Sequence, residues 1–195
     1  MVRSFKVKMR MGEKQILVLG VGNILLCDEG IGVRIVEKLQ QNYTFSPNVR
    51  LLDGGTLGLR LLEPITEADV LIVVDAIISG QPPGTLERLP LAALRSRISI
   101  KNSLHQLDLL ETLAHAQFLE SLPETTFIGI EPEDTCSLSL ELSDSIRARR
   151  EELASAVLRE ISRAGGGYHP RAPGSLSSDA GRPFYDGQPT AVTKS

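Results

Sequence analysis

The chain has only two cysteines in 195 residues, Cys27 and Cys136, far apart and with no C-x-x-C spacing. That excludes a disulfide-built domain and a zinc knuckle, and it fits a reducing compartment. No apolar run approaches the roughly 18 residues a membrane span needs, so a membrane role is not expected. There is no basic stripe either: 21 Lys and Arg against 24 Asp and Glu leave a net charge of −3, which gives nucleic acid no footprint. Residues 1–14 are basic, with Arg3, Lys6, Lys8, Arg10 and Lys14, but lack the roughly 7 to 15 apolar residues of a signal peptide. A cytoplasmic protein is expected. The chain also shows no H-E-x-x-H helix, no Ser-His-Asp set and no cysteine-histidine pair, so a covalent intermediate has no nucleophile with a partner.

What is present is 42% hydrophobic content, enough for one core, and a pattern that organises it. Ile16 to Leu19 is an unbroken apolar run closed by Gly20-Val21-Gly22-Asn23, as expected of a strand buried on both faces and ending in a tight turn. Ile31, Ile35, Val36 and Leu39 then share one helical stripe, with Asp28 placed to cap the first turn and Glu29 just inside it. A carboxylate pair therefore lies where a buried strand meets a helix start, the crevice in which open α/β sheets bind ligands. A strand followed by Gly20-x-Gly22 also begins a dinucleotide fingerprint, but its third glycine is replaced by Leu25 and the acidic pair would repel a pyrophosphate.

Val49 to Leu52 reads as a second strand ending in Asp53-Gly54-Gly55-Thr56, with Thr56 able to cap a short helix over 57–62 that Pro64 stops. Val70 to Val74 is a third buried strand, closed by Asp75. Thr85 to Leu89 predicts a short edge strand, antiparallel to its neighbour, and Leu91 to Leu94 a helical turn. Ser103-Leu104-His105-Gln106 has capping-box spacing ahead of a helix with Leu107, Leu110, Ala114 and Phe118 inward. Phe127 to Ile130 is the last strand, and Ser143 precedes a long helix with Ile146, Leu153, Val157 and Ile161 on its buried stripe. The whole predicts a three-layer α/β domain over 15–164, a mostly parallel sheet flanked by helices with one antiparallel edge strand. Residues 165–195, rich in Gly, Pro and Ser, read as a disordered tail whose removal would leave stability unchanged.

Among the polar residues, Asp28 reads most simply as a helix cap, and Asp53 equally as a turn former and a site residue. Cys27 is a poor nucleophile because the adjacent carboxylate raises a thiol's pKa. Asp75 ends a wholly apolar strand, where charge is costly unless partnered. Glu29, Asp75 and His105 arriving at one crevice make an O, O, N donor set suited to a divalent transition metal.

The segments Gly20 to Val33, Asp53-Gly54-Gly55-Thr56-Leu57-Gly58, Asp75-Ala76, Ser103-Leu104-His105-Gln106, Ile128 to Pro132 and Ser137-Leu138-Ser139 occur in the order seen in hydrogenase maturation endopeptidases. The chain resembles that family over essentially the whole domain, and its Ser-Leu-His-Gln and Ser-Leu-Ser elements look most like the branch serving uptake nickel-iron hydrogenases. The resemblance implies a substrate, the nickel-loaded precursor of a hydrogenase large subunit, from which a C-terminal peptide is cut. It implies that Glu29, Asp75 and His105 meet the substrate's nickel and that Asp53 takes part in function. Two routes to hydrolysis stay open: metal activation of carbonyl or water with Asp53 as base, or activation of water by carboxylates as in an aspartic peptidase. A non-catalytic nickel chaperone using the same ligands, and a nucleotide-binding oxidoreductase using Gly20, Gly22 and Asp53, are the rival readings.

Overall fold

The computed structural model describes residues 12–97 and 104–171, without the side chains of 95–97 and 104–106. Its centre is a five-stranded sheet in the order β3-β1-β4-β6-β5, from β1 (Ile16–Val21), β3 (Val49–Gly55), β4 (Val70–Ala76), β5 (Leu86–Pro90) and β6 (Glu124–Ile130). β1, β3, β4 and β6 run parallel, and β5 lies antiparallel at the edge beside β6, as its short sequence predicts.

Strand alternation divides the apolar residues between two cores. Ile16, Val18, Val70, Ile72, Val74 and Ile128 pack under α1 (Ile31–Asn42) and α5 (Asp144–Arg163). Leu17, Leu19, Leu71, Val73 and Phe127 pack on the opposite face, with Ile65 of α2 (Leu62–Glu67), Leu94 of α3 (Leu91–Arg97) and Leu113 of α4 (Leu104–Phe118). The expected stripes of α1 and α5 are those that are buried, because each of these helices has a single apolar side.

Three local expectations change. Pro64 does not end a helix but stands in the first turn of α2, where its missing N–H has no intrahelical partner to lose, and Thr56 does not cap it. α4 buries Leu109, Thr112, Leu113 and Ala116, whereas Leu107 and Phe118 are exposed. Apolar residues surround this helix, so its own periodicity does not choose a face; the α2 side of the sheet chooses it. The third change concerns the end of the chain.

The boundary expected at residue 164 moves to at least Arg171. β7 (Tyr168–Pro170) pairs antiparallel with β2 (Tyr43–Phe45), and the rings of Tyr43 and Tyr168 meet edge to face at 5.6 Å. Gly166 backs onto Val49, Ile161 and Ile16, and the Arg171 N–H donates to the Asn42 carbonyl at 2.8 Å. A composition poor in apolar residues hid this, because one tyrosine and one close-packed glycine make the attachment. Residues 172–195 and 1–11 lie outside the described part. Ending the chain at Ala164 is therefore expected to cost about 2 kcal/mol relative to ending it at Arg171, from a lost aromatic pair and uncovered core. Urea unfolding of the two truncations measures the difference, and equal midpoints would refute it. No helix among the described residues is long and apolar enough to cross a membrane.

Candidate active site

β1, β3, β4 and β6 all end at the same edge of the sheet, and each delivers an acid there or just beyond. The close approach that makes this edge compact comes from glycines. Gly22 has a φ of 126°, and a Cβ on it would stand 1.8 Å from the Glu29 carbonyl oxygen. A Cβ on Gly20 would fall 2.4 Å from the Gly32 carbonyl oxygen, and one on Gly32 would fall 2.1 Å from that of Val74 and 2.3 Å from that of Val21. The turn Cys27–Gly30 and the start of α1 thus lie directly on the ends of β1 and β4, with Glu29 at their junction. The space a dinucleotide phosphate needs beside Gly22 is filled by the protein's own backbone, which removes the structural basis of the nucleotide reading.

Asp75 is the penultimate residue of β4, 1% exposed, in register with Gly129 of β6. Leu71 and Val73 belong to the core beneath α2 and α4, so alternation turns Asp75 to the same side of the sheet. Glu29 is 6% exposed. His105 falls in the first turn of α4; its imidazole is outside the described side chains. The helix start is placed by Gly58, where a Cβ would meet the Asp108 Cβ at 3.2 Å, so α4 begins against the loop that leaves β3. Among the described residues no three His, Cys, Asp or Glu side chains stand close enough together to hold a metal ion.

Asp53 is the outlying acid. It pairs with Gly20, which pairs with Val74, so two strand spacings, about 10 Å, separate its backbone from β4. It is exposed, and its Oδ1 accepts the Gly55 N–H at 2.9 Å, the turn-forming bond its sequence position suggested.

Asp28 is not the helix cap expected of it. α1 starts at Ile31 after Gly30, and the Asp28 carboxylate, fully buried, turns away from the helix. It accepts the N–H groups of Glu133 (3.0 Å), Asp134 (2.9 Å) and Ser143 (2.8 Å) and the Ser143 hydroxyl (2.8 Å). The residue before Glu29 therefore ties the β1 loop to the loop between β6 and α5. A carboxylate so bonded replaces its lost hydration and fixes the backbone on which Glu29 is mounted. Glu131, which sequence reasoning passed over, does the same for the loop after β4, accepting the Ser79 N–H and hydroxyl at 2.7 Å each and the Gly80 N–H at 3.2 Å. The signal for it was that of Asp75, an acid closing an apolar strand. Cys27 is buried, with a left-handed φ of 44°. Burial pushes its thiol above the ordinary range, and the nearby carboxylates of Asp28 and Asp134 push it further, which keeps it protonated.

The family model described as hydrogenase maturation protease matches residues 33–160. The chain belongs to that family. It is thereby a hydrolase of the peptidase class. It is 40% identical over 153 residues to the hydrogenase 2 maturation protease of Escherichia coli strain K12, covering 77% of this chain and 93% of that one. It is also 42% identical over 139 residues to the hydrogenase expression/formation protein HupD of Thiocapsa roseopersicina, covering 70% of this chain and 63% of that protein, a little under two thirds of its length. Among solved structures, the hydrogenase maturating endopeptidase HybD from E. coli superposes with a TM-score of 0.76 at 40% identity, over 80% of this chain and 98% of that one. The mostly parallel sheet with its antiparallel edge is thus the architecture of the family.

Proposed function

We propose that this peptidase removes the C-terminal peptide from the nickel-loaded precursor of a nickel-iron hydrogenase large subunit, in the cytoplasm. The observation that supports the reading is the burial of both Glu29 and Asp75 at the edge where the Cys27–Gly30 turn lies on the ends of β1 and β4, in a family member whose α4 begins with His105. Two carboxylates and one imidazole from three separate segments are an open donor set, lacking the fourth ligand and thiolates of a closed structural zinc site. An open set accepts a metal that already carries ligands from another protein. Nickel in this reading belongs to the substrate. Glu29, Asp75 and His105 hold it and so align the scissile bond, while Asp53, across the edge, takes the proton from the attacking water.

The experiment is to incubate the protein with nickel-loaded and nickel-free precursor and weigh the products by mass spectrometry. Cleavage confined to the loaded form is expected. Equal cleavage of both would sink nickel recognition, and tight binding of the loaded form without any cleavage would favour the chaperone reading. Asp53→Asn keeps an acceptor for the Gly55 N–H but cannot act as a base. It is expected to slow cleavage about 100-fold while moving the melting temperature little. Wild-type rates in this variant would leave Asp53 a turn residue only.

A further inference from the structure

Nine large apolar side chains are exposed among the described residues, and eight of them lie at the carboxyl edge of the sheet; Phe118, at the far end of α4, is the exception. Four of the eight lie on two adjoining loops. Ile24 and Leu25, 41% and 54% exposed, lie in the loop after β1; Leu138 and Leu140, 84% and 60% exposed, lie in the loop after β6. The two loops are joined as a parallel bridge, with the Ser139 N–H donating to the Leu25 carbonyl and the Cys27 N–H donating to that of Ser139, both at 3.0 Å. Arg34 on α1 donates through Nη2 to the carbonyls of both Ile24 and Leu140, and the Asp28 bonds described above close the same two loops from beneath. Leu138 and Leu140 flank the bridged Ser139, so the alternation of extended chain puts both on one side.

Scattered exposed leucines need no explanation, but four aliphatic residues held on a hydrogen-bonded, arginine-clamped double loop form a preorganised apolar surface. Its first loop, Ile24-Leu25, leads through Leu26 into Cys27-Asp28-Glu29 and is therefore continuous with the site. A second copy of this chain seated on it would cover the edge at which substrate must arrive. Accepting the reading of the site given above, we propose that this platform docks the precursor itself, through apolar side chains that lie beside the bond to be cut. The nickel site then recognises the metal, and the platform recognises the polypeptide that carries it.

The test titrates full-length protein with nickel-loaded precursor and measures both Kd and cleavage kinetics. The double variant Leu138→Ser, Leu140→Ser is expected to raise Kd and KM about tenfold or more, with kcat within about twofold and the melting temperature unchanged. Leu25→Ser, on the other loop, is expected to act in the same direction, and Phe118→Ser to do nothing. An unchanged Kd in both platform variants would overturn the proposal, as would a self-dimer of the wild type that the double variant abolishes while precursor affinity stays the same. The Kd comparison decides the surface even if wild type binds without cutting, an outcome that would sink the peptidase reading alone.

Discussion

His105→Ala is expected to lower the rate of precursor cleavage by about 100-fold or more, the largest loss of activity from any single change proposed for this protein. Glu29 and Asp75 arrive on a buried turn and a buried strand end, so their substitution would disturb folding as well as chemistry. His105 arrives differently, in the first turn of a helix whose anchoring to the sheet lies further along, at Leu109, Leu113 and Ala116. Losing the imidazole should therefore remove a donor to the substrate's nickel while the helix keeps its packing. The scissile bond would then be bound without being aligned, and misplacement of about 1 Å is enough to cost two orders of magnitude. Single-turnover cleavage followed by peptide mass, with thermal unfolding alongside, checks both halves. Full activity would exclude His105 from the site, and a large fall in melting temperature would assign it to folding instead.

Gly32→Ala is expected to be strongly destabilising, at about 4 kcal/mol or more, with a melting temperature lower by roughly 10 °C. In the interior of an ordinary helix this change stabilises by about 1 kcal/mol, because alanine restricts the unfolded chain and shields the backbone. Gly32 is not in an ordinary helix. Its Cβ would overlap two carbonyl oxygens, those of Val74 and Val21, and a backbone nitrogen of Val21 at 2.9 Å. These are strand atoms, Val74 held by ladders on both sides and Val21 by its pairing with β3, and they have no rotamer to retreat into. α1 would have to lift from the ends of β1 and β4, carrying the Glu29 turn with it, so residual folded enzyme should also cut slowly. Gly12→Ala, with nothing within 4 Å, is the control. A Gly32→Ala protein as stable as wild type would show that α1 can shift without cost.

The sequence by itself determined whatever depends on local period and local chemistry. The apolar runs of β1 and β4 can be buried only in a sheet covered on both faces, and the single stripes of α1 and α5 dictate which sides they bury. Acids at the ends of β3 and β4 place Asp53 and Asp75 at one edge of a parallel sheet whatever the strand order, and Glu29 follows β1 to the same edge. The tertiary structure alone decided matters settled between distant segments. Strand order is one of these, since the strand runs are alike in character. The buried face of α4 is another, because apolar residues ring that helix and only its neighbours select among them. Asp28 illustrates the reason most plainly. Read locally, a carboxylate before a helix is a cap. In the fold it bonds groups 105 to 115 residues away, because a backbone amide of Glu133 or Ser143 satisfies a carboxylate as well as one in its own helix, and nothing within a few residues of Asp28 can reveal that those amides will be brought to it. The same holds for β7, where Tyr168 and Gly166 attach a stretch of ordinary loop composition to the core by contacts with residues that the chain left behind more than a hundred positions earlier.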